Sequence, residues 1–209
     1  MRTQKFPNKI FIIGLMFVSI LSQGYAQDWL SSITYQMSLP SGDTKNYIDE
    51  TSFSGVGLDF RKMVSDKTTI GFLIGWNVFH KRSTETIELQ TENPGAITGV
   101  QDRYINSFPI MLNVHRYFGR GRSTTPYIGL NAGGFVMAQQ LNIGIHTFQQ
   151  DEWQWGIAPE IGIIFPLERN SALIVSGKYQ YALSGESPVG GDINHEYWTI
   201  GIGFAWSQY

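Results

Sequence analysis

Residues 196–206 read Glu196-Tyr197-Trp198-Thr199-Ile200-Gly201-Ile202-Gly203-Phe204-Ala205-Trp206. In a β-strand successive side chains point to opposite faces. Trp198, Ile200, Ile202, Phe204 and Trp206 therefore share one face, and Tyr197, Thr199, Gly201, Gly203 and Ala205 share the other. The bulky apolar face suits lipid, and the small or polar face suits a narrow interior.

Seven further stretches repeat the pattern. Over 29–39, Trp29, Ile33, Tyr35, Met37 and Leu39 alternate with Ser32, Thr34, Gln36 and Ser38. Over 53–62, Val56, Leu58 and Phe60 point outward, and Gly55, Gly57, Asp59 and Arg61 point inward. The stretch 69–80 turns Ile70, Phe72, Ile74, Trp76 and Val78 outward, and 103–116 sets Tyr104, Phe108, Ile110, Leu112 and Val114 against Met111, Asn113 and His115. Stretches 126–137, 153–165 and 172–182 follow suit, with Tyr127 and Asn131, Glu160, and Lys178 among their inward residues. Eight is an even number, and each segment reaches the 9 to 11 residues that a tilted membrane strand needs. The fold class expected is an all-β, eight-stranded antiparallel up-and-down transmembrane β-barrel.

The chain opens with the features of a cleaved export signal. Arg2, Lys5 and Lys9 precede and flank the apolar run Ile10–Leu21, and Gly24-Tyr25-Ala26 is a small-x-small cleavage site. The run is too short for a spanning helix, which needs about 20 residues. The expected division is a signal peptide at 1–26 and a barrel at 27–209. Taking 26 residues and three cations from the 209 residues and 15 Lys+Arg leaves 183 residues with 12 cations against all 17 Asp+Glu. A net acidic chain without a basic stripe is a poor nucleic-acid binder. The absence of Cys excludes a disulfide framework, a thiolate metal site and a lipoprotein anchor.

The connectors alternate in length. Residues 63–68, 117–125 and 166–171 are tight, whereas 40–52, 81–102, 138–152 and 183–195 are long and polar. With the N-terminus in the periplasm, the short set becomes periplasmic turns and the long set becomes surface loops, with 83–99 expected to be mobile. Aromatics gather at both ends of the outward faces: Trp29, Phe60, Phe118, Phe165 and Trp206 on the turn side, and Trp76, Tyr104, Trp153, Trp155, Tyr181 and Trp198 on the loop side. Two such belts suit a barrel crossing a bilayer. The alternative is a soluble, lipocalin-like barrel with the faces exchanged, which would crowd Trp, Phe and Ile into a small lumen. Pro109 and Pro159 each remove a ladder donor within a strand and are expected to mark bulges.

Several segments carry a family resemblance: Phe108-Pro-Ile-Met-Leu-Asn-Val-His-Arg-Tyr-Phe-Gly119, Thr125-Pro-Tyr-Ile-Gly-Leu-Asn-Ala-Gly-Gly134, Gly156-Ile-Ala-Pro-Glu-Ile-Gly162 and Ile200-Gly-Ile-Gly-Phe204. Through them the chain resembles the outer-membrane β-barrel domain family of Bacteroidetes type, itself similar to the OmpA transmembrane domain and OmpX. The resemblance implies residence in the bacterial outer membrane, among lipid and lipopolysaccharide, after handling by the barrel assembly machinery. It names no activity. Tyr209 is aromatic but one residue out of phase with Phe204 and Trp206, so the family's usual terminal assembly signal is only partly matched.

The candidate site is a polar network of inward charges: Asp59 and Arg61, Glu160, and Lys178. A turn centred near Glu168 and Arg169 sets Glu160 opposite Lys178. Charges inside eight strands should be mutually paired, because an unpaired buried charge is costly. An interior only wide enough for side chains makes them a plug. The alternative is a gate, in which Arg61 or Lys178 changes partner and opens a water path.

Chemistry is otherwise thinly signalled. No metal, cofactor or catalytic set is expected. His80 lies at a strand end, His115 points inward, and His146 and His195 lie in loops. His146 or His195 with Asp151, Asp192 or Glu196 makes a candidate metal or acid–base cluster, but sequence spacing does not bring them together. Gly55-Val56-Gly57 and Gly201-Ile202-Gly203 lack the third glycine and following helix of a phosphate-binding loop. Acidic residues dominate the loop side and basic residues the turn side, which favours divalent cations or basic surface partners. The function expected is non-enzymatic, as envelope structure or as a presenter of loops 40–52, 81–102, 138–152 and 183–195 to a surface partner. Its alternatives are a small passive pore and, less favoured, a lipid-modifying enzyme.

Overall fold

The computed structural model describes residues 29–89, 95–119, 124–143, 146–167, 170–186 and 192–208. The expected signal peptide, the turn residues Glu168 and Arg169, and Tyr209 lie outside the described residues. Eight strands form in order: β1 (Trp29–Ser41), β2 (Ser52–Ser65), β3 (Thr68–Leu89), β4 (Gly95–Tyr117), β5 (Thr125–Ile143), β6 (His146–Pro166), β7 (Ser171–Glu186) and β8 (Asp192–Gln208). A six-residue helix, α1 (Gly42–Tyr47), follows β1. Each strand pairs antiparallel with the next, and β8 returns to β1 from Trp29↔Gln208 to Ser41↔Glu196, closing the barrel. Closure leaves no open edge, the condition for a sheet to sit in hydrocarbon.

The faces fall as the alternation predicts. Trp198, Ile200, Ile202, Phe204 and Trp206 are exposed, and Tyr197, Thr199, Gly201 and Ala205 are buried. An outer wall of exposed Ile, Leu, Phe and Trp on every strand from β3 to β6 excludes the soluble, face-exchanged barrel.

Two expectations are corrected. Pro109 and Pro159 produce no bulge: β3–β4 pairing stops at Ile74↔Ile110 and resumes in the same register at Asn77↔Ser107. The β6–β7 pairing likewise skips from Ile157↔Tyr181 to Glu160↔Lys178 without a shift. Each proline costs ladder bonds on one side only, while β4–β5 and β5–β6 run through it unbroken. Beside Pro109, Gly75 makes room for the ring, since a Cβ there would lie 2.8 Å from Pro109 Cγ.

The long connectors are also shorter than expected. Pairing of β3 with β4 continues to Leu89↔Gly95, and β5 with β6 to Ile143↔His146, so much of 81–102 and 138–152 is strand. Strand also enters 183–195, where β7 runs to Glu186 and β8 starts at Asp192. Hydrophobic alternation reports lipid on one face, and above the bilayer a ladder can carry polar residues on both. The short turns fall where they are expected, with strands ending at Ser65, Tyr117 and Pro166.

The lumen is filled in layers. At the upper, hairpin end, Tyr47, Ile48, Phe79, Ile105, Phe135, Met137 and Tyr197 belong to one apolar cluster. At the turn end, Tyr117, Tyr127, Ile164, Ile174 and Ala205 belong to another. Helix α1 completes the upper seal by turning Tyr47 and Ile48 into the lumen. Thr44 Oγ1 accepts from Glu196 N at 2.7 Å, and Arg103 Nη1 donates to Tyr47 O at 3.0 Å. Burial pushes the Tyr47 phenol up to about 12.

Candidate functional site

Between the two apolar seals lies the charged layer. Asp59 and Arg61 are two residues apart on β2 and so share its inner face; Glu160 and Lys178 are direct cross-strand partners on β6 and β7. All four are buried, and the structure brings them together. Arg61 is the hub. Its Nε and Nη2 donate to Asp59 Oδ2 at 3.0 and 2.7 Å, its Nη2 also reaches Glu160 Oε1 at 3.2 Å, and its Nη1 donates to Tyr117 Oη at 3.1 Å. The guanidinium lies 4.8 Å from the Tyr127 ring centroid.

Glu160 is held from four sides. Oε1 accepts from Tyr127 Oη at 2.8 Å, and Oε2 accepts from Asn131 Nδ2 at 3.1 Å and His115 Nε2 at 3.2 Å. Because a carboxylate only accepts, the His115 proton is on Nε2. Lys178 Nζ stands 3.8 Å from Glu160 Oε2, an ion pair longer than a hydrogen bond. On the other carboxylate, Asn113 Nδ2 donates to Asp59 Oδ1 at 2.9 Å. Two anions thus face two cations in a site walled from water, with Arg61 making the short contacts and Lys178 the long one.

Five partners were not placed in the network by the sequence reading: Asn113, His115, Tyr117, Tyr127 and Asn131. A signal for two of them was present. His115 lies across the ladder from Gly129, and Tyr127 from Gly162. Each glycine is the seat for its partner's ring, since a Cβ at Gly129 would lie 2.2 Å from His115 Cδ2, and one at Gly162 2.4 Å from Tyr127 Cζ. An inward aromatic opposite an inward glycine marks such a seat. These two inward glycines therefore accommodate rings rather than a water column.

The chemistry open to this layer is limited. Asp59, His115 and Glu160 offer ligand atoms within 4.8 Å of one another, a metal-like grouping. Arg61 already bridges both carboxylates, so an added cation would have to displace a buried guanidinium. Glu160, saturated by donors, is poorly placed to act as a base.

His195, expected as a solvated loop residue, instead lies in β8, and the candidate loop cluster is not seen around it among the described residues. That ring is buried, and neither nitrogen has a hydrogen-bond partner. The side chains of His146 and Asp192 lie outside the described residues. His80 instead pairs with Asp102 at 3.4 Å and stacks on Tyr104 at 4.4 Å between centroids, on the outer wall.

No protein-family model matches the chain, and no curated protein does either. Solved structures do resemble it. The outer membrane protein OprG from Pseudomonas aeruginosa is 16% identical, with a TM-score of 0.53 over 87% of this chain and 95% of that one. Neisserial surface protein A is 10% identical, with a TM-score of 0.51 over 90% of this chain and 100% of that one. The outer membrane protease OmpT from Escherichia coli is 7% identical, with a TM-score of 0.51 over 89% of this chain and 99% of that one. Such low identities carry the fold, and the fold is that of bacterial outer-membrane barrels. With its closed ladder and apolar outer wall, this chain has the fold of the bacterial outer-membrane β-barrels.

Proposed function

We propose that the protein is a closed, non-catalytic barrel that stabilises the envelope and presents its hairpins at the cell surface. The observation that carries this reading is the lumen: a paired charge layer lies between two apolar seals, and the inward Gly129 and Gly162 seat the rings of His115 and Tyr127. Eight strands leave little interior beyond what these side chains fill. A passive pore would need that filling to move as a unit.

The long β3–β4 hairpin is the natural surface element, because it extends the ladder well past the loop-side aromatics Trp76 and Tyr104. Loops on a rigid scaffold are where recognition concentrates. A deletion strain should lose detergent resistance and surface adhesion. A copy lacking residues 83–99 should restore the first and not the second. A deletion strain with both properties intact would overturn the proposal.

A further inference from the structure

At the loop-side aromatic belt, the outer wall of β7 and β8 carries an acid among rings. Two cross-strand rows, Tyr179↔Trp198 and Tyr181↔Glu196, set three aromatic side chains beside one carboxylate. Tyr179 Oη donates to Glu196 Oε2 at 2.5 Å, and the Tyr179 and Trp198 rings lie 4.8 Å apart between centroids. The acid is fixed as well as placed. Its backbone N donates to Thr44 Oγ1 at 2.7 Å, and its carboxyl packs on Gly42, where a Cβ would lie 2.5 Å from Glu196 Cδ. No lysine, arginine or histidine pairs with this carboxylate among the described residues. Belt aromatics follow from the fold, but a half-buried, outward carboxylate among them does not, because an anion at that depth without a counter-charge is costly.

We infer that Glu196, Tyr179, Tyr181 and Trp198 form a site for an alkylammonium group, carried by a lipid headgroup or by a soluble amine. The carboxylate supplies the opposite charge, while the ring faces attract a cation through their quadrupoles and take its methyl or methylene groups. Trp198 is 54% exposed, so its ring is open to such a ligand. Other ions fit the site less well. A phosphate would meet Glu196 and also Asp43 of α1, which accepts from Asn194 N at 3.3 Å on the same rim. Calcium takes about six to eight oxygens, and the three rings add only two phenols to the one carboxylate.

The test titrates the folded protein in an uncharged detergent with choline, with ethanolamine and with the neutral alcohol in which carbon replaces choline's nitrogen, reading the Trp198 indole N–H by NMR. Both ammonium compounds should shift that resonance saturably, and the neutral alcohol should not. Glu196→Gln keeps an acceptor for Tyr179 and should weaken choline binding roughly tenfold; Tyr181→Leu should weaken it about threefold, each with thermal melting unchanged. Nanodiscs of phosphatidylcholine and of phosphatidylglycerol separate the sources. A Trp198 shift in phosphatidylcholine that added choline leaves unchanged assigns the site to lipid headgroups, and one that appears only on adding choline assigns it to a soluble amine. The inference is overturned by equal choline affinity in the native protein and folded Glu196→Gln, by an equal response to the neutral alcohol, by saturation with calcium in place of choline, or by no response to any ammonium group, free or lipid-borne.

Discussion

Glu160 and Lys178 face each other directly across β6 and β7, yet Lys178 Nζ is 3.8 Å from Glu160 Oε2 while Arg61 Nη2, from the far side of the lumen, is 3.2 Å from Oε1. Cross-strand adjacency therefore does not decide which cation holds the carboxylate. Removing one partner of a buried ion pair typically costs about 3–5 kcal/mol, because the other charge is stranded. Arg61→Met strands Asp59 and leaves Glu160 only the more distant Lys178 as a counter-charge, and should cost at least that, whereas Lys178→Met leaves every hydrogen bond to Glu160 intact and should cost less. Urea unfolding in phospholipid vesicles gives the ranking, and equal losses would show that Lys178 is as tightly held as Arg61.

The ring seats give a second test. Gly129→Ala and Gly162→Ala drive a methyl into His115 and Tyr127, and overpacking of this kind costs about 1–3 kcal/mol. Gly177→Ala is the control, because its nearest neighbour beyond the adjoining residues is Ile161 Cγ1 at 3.9 Å. Unfolding free energies should separate the first two from the third. Three equal values would mean that the seats yield without penalty.

Helix α1 should respond to alkali. The Tyr47 phenol titrates near 12 when folded against an ordinary value of 10.0, so the unfolded chain gives up that proton first. Stability from Tyr47 is then complete below pH 10 and is lost as pH rises from 10 to about 12, to the extent of about 3 kcal/mol. Tyr47→Phe removes the ionisation. Its melting temperature should fall less steeply than the native protein's over that interval, and parallel curves would contradict a buried Tyr47.

How far the sequence could be read follows from what each signal reports. Alternation reports which face meets lipid, so the phase of all eight strands was legible, as were the inward positions of Asp59, Arg61, Glu160 and Lys178. The Glu160↔Lys178 register was legible as well, because the β6–β7 turn is short. Strand above the bilayer was not: Thr84–Leu89 and Gly95–Val100 pair in a stretch whose sequence lacks the sustained apolar alternation of the other strands. Nor was α1, whose six residues are too few for helical periodicity to register. The prolines misled because loss of one donor was equated with a bulge, whereas the ladder on the other side of each strand held its register. Arg61's preference for Asp59, Tyr117 and Glu160 depends on distances across the lumen, which strand phase does not encode.

The central claim is that the lumen is closed, and planar-bilayer conductance of the folded protein tests it most directly. Folded barrels, verified by their resistance to urea, should show no steady single-channel current at neutral pH. Arg61→Ser, which removes the guanidinium bridging Asp59 and Glu160, should be the variant that opens brief current steps. Steady current through the unmodified protein would contradict the closed lumen and make Arg61, Glu160 and Lys178 the lining of a pore.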